Sequence, residues 1–300
     1  MRPWESFPAM VGLGAILGAL TGGLPAYARE VSTGALVVAM TFSLAEVRFR
    51  GISARTEVGA FARAFFWNYV VLSGLILALS FLYVQPDIRH GWIVMAAGPS
   101  AIAIVPLTTT FRGNTRSALI STALLYVAAL GLYPLITLAF AGQSIDLRAL
   151  AVQMLLQIAL PIGASRLLSG RPTFEKHRPV VVNASFFVLV FALVGLNRGV
   201  FFQDPALIGA LAAGGFLRTW VLGATVFVVS GRLTTGRGPR VADALFGSLK
   251  NLALAALIAL SLFGAVAALP AIVSLFFEIA WLVPLQRLFG ARAPQSPRGR

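Results

Sequence analysis

"GSLKNLALAA", residues 247–256, sets an ammonium group, Lys250, and a carboxamide, Asn251, inside an otherwise apolar run. A lysine at membrane depth costs about 2.5–3.5 kcal/mol on insertion scales, so it is expected to face protein and to have a partner or water. The setting of that run decides the fold. Of 300 residues 58% are hydrophobic and only 11% charged, and mean hydropathy is +0.86. That balance suits lipid rather than water as the main solvent.

Crossing the hydrocarbon layer takes about 20 mostly apolar helical residues. Ten such segments are read along the chain: 7–26, 31–46, 59–84, 91–111, 115–141, 147–169, 180–201, 206–231, 241–262 and 266–289. The second is short for a full crossing, which keeps a count of nine open. Charge placement tests the count, because cytoplasmic connectors hold the Lys and Arg excess. With the amino terminus inside, eighteen basic residues fall in inside positions and four, Arg29, Arg89, Arg148 and Arg198, in outside ones. Arg218 and Lys250 remain within segments. The split predicts an integral protein of the plasma or inner membrane with both termini cytoplasmic.

The net charge of +14 therefore reads as topology rather than nucleic-acid binding, since no basic face interleaved with aromatics is present. Cysteine is absent, which removes disulfides, thiolate metal sites and Cys nucleophiles. Arg2, an apolar stretch and Ala26-Tyr27-Ala28 imitate a secretory signal, but Phe7 to Leu24 is longer than a usual signal core. Gly14, Gly18 and Gly22, at four-residue spacing, predict a first helix packed closely on another.

Divided as 1–142 and 143–290, with a disordered basic tail at 291–300, the chain gives five segments per half. An odd number makes the second half enter from the opposite side, as in an inverted repeat. Segments four and nine each carry an interruption: "AAGPSAIAIVP" at 96–106 and "FGSLKNLAL" at 246–254. Segments three and eight each carry one polar side chain at similar depth, Asn68 and Arg218. Broken helices in lipid are tolerated only where freed backbone faces protein or a wet cavity, so paired breaks point to a binding site near mid-membrane. A simple kink at Gly98 and Pro99 is the plainer reading of the first break.

These stretches resemble the bile acid:sodium symporters, within the wider group of bile-acid, arsenite and riboflavin transporters. "GWIVMAAGPSAIAIVPLTTTFRGNTRSALISTALLYVAALGLYPLITLAF" is similar to the family's fourth and fifth helices, with the connector Arg112-Gly113-Asn114 and a late Pro134. "ADALFGSLKNLALAALIALSLFGAVAALPAIVSLFF" is similar to its ninth helix and the Pro, here Pro270, that opens the tenth. The resemblance implies an all-α polytopic fold of ten helices in two inverted five-helix repeats, a panel and a core, with helices four and nine broken and crossing. It also implies where sodium ligands would fall. The family's Ser-Asn pair falls on Ile104 and Val105, its helix-five Ser on Ala118 and its helix-nine Glu on Phe246, none of which offers a side-chain oxygen. The helix-five Thr matches Thr122, the helix-nine Asn matches Asn251, the helix-nine Gln falls on Lys250 and the helix-three Gln on Asn68. With most oxygens gone, the expectation is this fold without sodium coupling.

Lys250 is then expected to stand in for the missing cation, donating to carbonyls freed at the breaks. Two versions follow. It loses and regains a proton, giving proton coupling, or it stays charged and attracts an anionic substrate. A third reading has it snorkel to an interface or neutralise Glu278. Arg218 and Glu278 are expected to form a buried pair between segments eight and ten. Asp243, beside Arg240, reads as a solvated interfacial charge, and Asn251 as a substrate donor or a helix cap. Ser100, Thr122 and Asn68 complete the candidate substrate and ion region. Thr108 to Thr110 read as hydroxyls that solvate a helix, and His90 and His177 as surface groups.

The function expected is a secondary transporter of a small organic anion working by alternating access, with no cofactor or metal. Its partners would be that anion, the lipid bilayer and, in one version, protons. Net positive charge in the cavity, from Lys250 and Arg218, motivates the anion. An enzyme would want His or acid clusters within segments, and apart from Glu46 at the very end of the second the acids there are Glu278 and Asp243. A non-transporting sensor or scaffold of the same fold is the remaining alternative.

Overall fold

The computed structural model describes residues 4, 6–45, 54–142 and 145–290. The expected tail at 291–300, the boundary at 142–143 and the basic connector with Arg48 and Arg50 fall wholly or partly outside the described residues. Every described regular element is helical, apart from one isolated antiparallel bridge.

In chain order these are α1 (Phe7–Thr21), α2 (Ala28–Leu44) and α3 (Ala54–Phe65), which runs through a π-helical stretch (Phe66–Leu72) into α4 (Ser73–Ser80). Next come α5 (Pro86–Ala97), α6 (Ile104–Thr110) and α7 (Thr115–Ala141). Then α8 (Leu147–Met154) passes through π-helical Leu155–Ala159 into α9 (Leu160–Leu168), followed by α10 (Pro172–Leu196) and α11 (Arg198–Gln203). Last, α12 (Pro205–Phe216) passes through π-helical Leu217–Val221 into α13 (Leu222–Leu233), before α14 (Arg237–Phe246), α15 (Leu252–Phe263) and α16 (Leu269–Gly290).

Six continuous helical stretches are long and apolar enough to cross a bilayer: Glu57–Ser80, Thr115–Ala141, Leu147–Leu168, Thr173–Leu196, Pro205–Leu233 and Val266–Phe289. The chain is an integral membrane protein. Short polar caps start several of these helices. Asn114 accepts from Ser117 N, Asp146 from Arg148 N and Ala149 N, and Asp204 from Leu207 N.

α1 and α2 pack on α10, and the glycines decide how closely. A methyl group added at Gly14 or Gly18 would come within 2.6 Å of the carbonyl oxygen of Phe187 or Phe191, so only glycine lets the two backbones touch. Gly22 does not continue this stripe. It sits at φ 84°, ends α1 in the left-handed conformation and would meet nothing with an added methyl. The helix therefore stops at Thr21 rather than reaching residue 26, and Gly23 takes over the close contact with Phe191 and Gly195. A comparable approach fixes α5. A methyl at Gly91 would lie 2.1 Å from the carbonyl oxygen of Ala267, in the turn that leads into α16.

The two interrupted segments have different local causes. Pro99 lacks an N–H and pushes the preceding residue to extended backbone, so α5 ends at Gly98 with ψ 151°. No proline breaks the other segment. There α14 ends at Gly247, and Asn251 starts α15 by accepting from Leu254 N.

Candidate functional site at the helix crossing

The interruptions lie against each other. Ser100 and Lys250 face one another as the antiparallel bridge, with Asn251 N donating to Pro99 O at 2.9 Å and Ala101 N to Leu249 O at 3.4 Å. Backbone groups freed from two helices thus satisfy one another inside the protein, as burial in an apolar medium requires. Four half-helix ends converge there. The carbonyl ends of α5 and α14 carry partial negative charge, and the amino ends of α6 and α15 partial positive charge.

Lys250 is 1% exposed and its ammonium points at the carbonyl end of α5. Nζ donates to Gly98 O at 2.6 Å, Ser73 Oγ at 2.8 Å, Asn68 Oδ1 at 3.1 Å and Ala96 O at 3.2 Å, and lies 4.5 Å from the centre of the Tyr69 ring. Asn68 also ties in the other broken segment, its Nδ2 donating to Phe246 O and Leu249 O. The lysine neither snorkels nor meets Glu278 with its ammonium.

Glu278 pairs instead with Arg218, at 2.8 Å between Oε1 and Nη2, and the same oxygen accepts from Lys250 N at 2.9 Å. Arg218 is fully buried, with Nε and Nη1 making no hydrogen bond among the described residues. Asn251 caps α15 through its oxygen, and its Nδ2 donates to the Tyr126 hydroxyl at 2.6 Å. The hydroxyls of Ser100 and Thr122 are buried and find no partner among the described residues.

Beside the crossing opens a cavity of about 440 Å³. Residues of α1, α2 and α10 form one wall, among them Phe7, Met40 and Phe186. The crossing, α7 and α16 form the other, with Lys250 and Asn251, Thr122, and Glu278. Arg218 does not line it, and the Lys250 ammonium is turned to α4 and α5. The charged side chains on its wall besides Lys250 are Glu278 and Arg178. The volume suits a small organic molecule and the lining is mainly apolar.

Of the positions carried over from the symporter resemblance, Ile104 and Val105 are buried in the first turn of α6. Ala118 and Phe246 share the wall of a separate cavity of about 80 Å³ with Arg63 and Asp243. Asp243 corrects a second expectation. It is 3% exposed rather than solvated, paired with Arg63 and accepting from Ser230 Oγ at 2.6 Å. The hydroxyls of Thr108, Thr109 and Thr110 each bond back to the carbonyl four residues earlier, the helix-solvating arrangement. His177 is exposed, and His90 is partly buried against Phe263.

Ser73, Tyr69, Tyr126 and Arg63 belong to this region and the sequence reading missed them. Ser73 follows Asn68 by five residues, and its hydroxyl lies 3.1 Å from Asn68 O. That spacing shares a face in π-helix, not in α-helix. No protein-family model matches the chain, and no curated protein matches it in sequence.

Proposed function

We propose that the protein is a secondary transporter that moves a small, apolar-bodied organic anion by alternating access, without sodium, with Lys250 as a tethered cation at the crossing. The observation that carries this reading is the backbone pairing of two broken helices beside a cavity of about 440 Å³. Non-helical backbone at membrane depth is expensive unless it lines a site, and discontinuous helices are the usual way transporters build one.

Internal symmetry supports it. Asn68 and Arg218 both stand in π-helical stretches, Ser100 and Lys250 face each other at the crossing, and each pair is separated by the same length of chain. We read this as ten crossings in two inverted repeats of the symporter-like fold, with both termini cytoplasmic in an inner or plasma membrane. Under that topology Phe7, Leu44, Thr110 and Arg178 lie toward the cytoplasm, so the cavity opens inward. Anion selectivity would come from the amino end of α15 together with Arg178, not from the lysine head group. The Lys250 cage has only oxygen acceptors and an aromatic face, a setting that a metal cation would otherwise seek.

Counterflow in proteoliposomes tests this, with radiolabelled p-toluenesulfonate, benzoate and decanoate as probes, in sodium and then in potassium medium. Trans-stimulated exchange equal in both media is expected. Exchange that needs sodium, or none with any probe, would end this reading.

A further inference from the structure

The pairing pattern separates the two ionisable groups at the crossing. Three of the four hydrogen-bonding neighbours of Lys250 Nζ can only accept, and the fourth is the Ser73 hydroxyl. Gly98 O and Ala96 O are carbonyls, and Asn68 turns its oxygen to the lysine while its Nδ2 donates to Phe246 O and Leu249 O. The single proton of the Ser73 hydroxyl has Ala96 O at 2.6 Å and Asn68 O at 3.1 Å to serve. A neutral amine could take a proton for its lone pair only from the Ser73 hydroxyl, at the expense of Ala96 O, whereas an ammonium satisfies its surroundings. The cage around Lys250 is therefore matched to an ammonium.

Glu278 is placed differently. It lines the cavity, and both of its hydrogen bonds, from Arg218 Nη2 and Lys250 N, go to Oε1. Oε2 has no hydrogen bond among the described residues, so it can take a proton without displacing a donor. The charged groups that face Glu278 are Arg218 from the α12–α13 helix and Lys250 from the crossing, with Arg178 of α10 on the same cavity wall. Of the other elements packed on α16, α5 keeps Asp87, Arg89 and His90 in its outer turns, and α15 has no ionisable residue.

Resting on the transporter reading, we infer that Glu278, and not Lys250, exchanges a proton with the cavity, and that one proton enters with each monoanion. Charge balance within the buried cluster gives the reason. Empty, the cluster holds Arg218 and Lys250 positive and Glu278 negative, a net charge of one. A bound anion alone would put a second negative charge against the carboxylate. With the carboxylate protonated on Oε2, the anion replaces the charge that was lost, and the total is again one positive. The added proton can also be donated to the anion. Anion and proton leave together on the other side, and the cycle carries no net charge.

The test uses purified wild-type protein and p-toluenesulfonate, which stays ionised at every pH used. Calorimetry in two buffers of different ionisation enthalpy is expected to show about one proton taken up per anion bound, with affinity rising about tenfold for each unit fall in pH. Glu278→Gln is expected to bind with no proton uptake and no pH dependence. Independently of any ligand, infrared difference spectra between about pH 5 and about pH 9 should show a protonated-carboxyl stretch that Glu278→Gln lacks. Anion binding by wild type without proton uptake would overturn the inference, as would a carboxylate that stays ionised throughout that range, even if the variant fails to fold. Counterflow that persists in such a case leaves transport standing and removes only the proton. Absence of counterflow removes transport itself.

Discussion

Lys250 Nζ lies 2.6 Å from the carbonyl oxygen of Gly98, across the gap between two helices that are both broken at that level. A side chain of one segment thereby neutralises the carbonyl end of the other. The contact is charge-assisted and buried, the class of hydrogen bond that costs most to lose.

Truncating that side chain removes the ammonium donor from Gly98 O, Asn68 Oδ1 and Ser73 Oγ at once, while Ala96 O keeps the Ser73 hydroxyl. Lys250→Ala is expected to lose about 3–5 kcal/mol of stability, read as a lowered unfolding midpoint in detergent. Methylammonium should restore part of the loss by entering the emptied cage, and choline, too bulky for it, should not. Equal effects of the two cations would mean the cage is not what the lysine fills.

The Arg218–Glu278 pair predicts non-additivity. Arg218→Gln or Glu278→Gln alone leaves one charge buried without its partner, at about 3–5 kcal/mol. The double variant should be more stable than the sum of the two losses implies, with a coupling of about 1–3 kcal/mol. Additive losses in a denaturation cycle would show that the two groups do not act as a pair.

Gly91 meets backbone, which cannot rotate away. Gly91→Ala is expected to shift α5 from the turn at Ala267 and to cost about 1–3 kcal/mol, although alanine favours helix elsewhere. Gly59→Ala, where an added methyl meets nothing within 4 Å, is the control and should be neutral or slightly stabilising.

Because the chain has no cysteine, single thiols report on the cavity directly. Ile279→Cys lines it, and should react with a membrane-impermeant thiol reagent from the side of the basic connectors and be protected by p-toluenesulfonate. Reaction from the opposite face only would reverse the opening assigned to this state.

The helical architecture was legible because apolar runs and basic connectors are strong signals in lipid. Both interruptions were also visible, one from Gly98 and Pro99 and the other from a lysine that no lipid-facing helix would carry. The lysine's partners were only half visible. Asn68 stood out as a lone carboxamide, but Ser73 did not, since helical periodicity at 3.6 residues puts it on a different face. Asp243 was misread because its neighbour in sequence, Arg240, suggested a solvated cluster, while its true partner Arg63 comes from α3, far back along the chain. Gly22 matched the spacing of Gly14 and Gly18, yet spacing cannot tell a packing glycine from one that ends a helix.

The paired backbones at Pro99, Ala101, Leu249 and Asn251 act as a rivet between the two halves of the chain. Prising it apart would strip hydrogen bonds in a dry medium, so the stroke of the proposed transporter would carry both broken segments as one body. Under that proposal the slip plane would fall to greasy helix faces such as that between α2 and α15, where sliding would exchange one apolar contact for another.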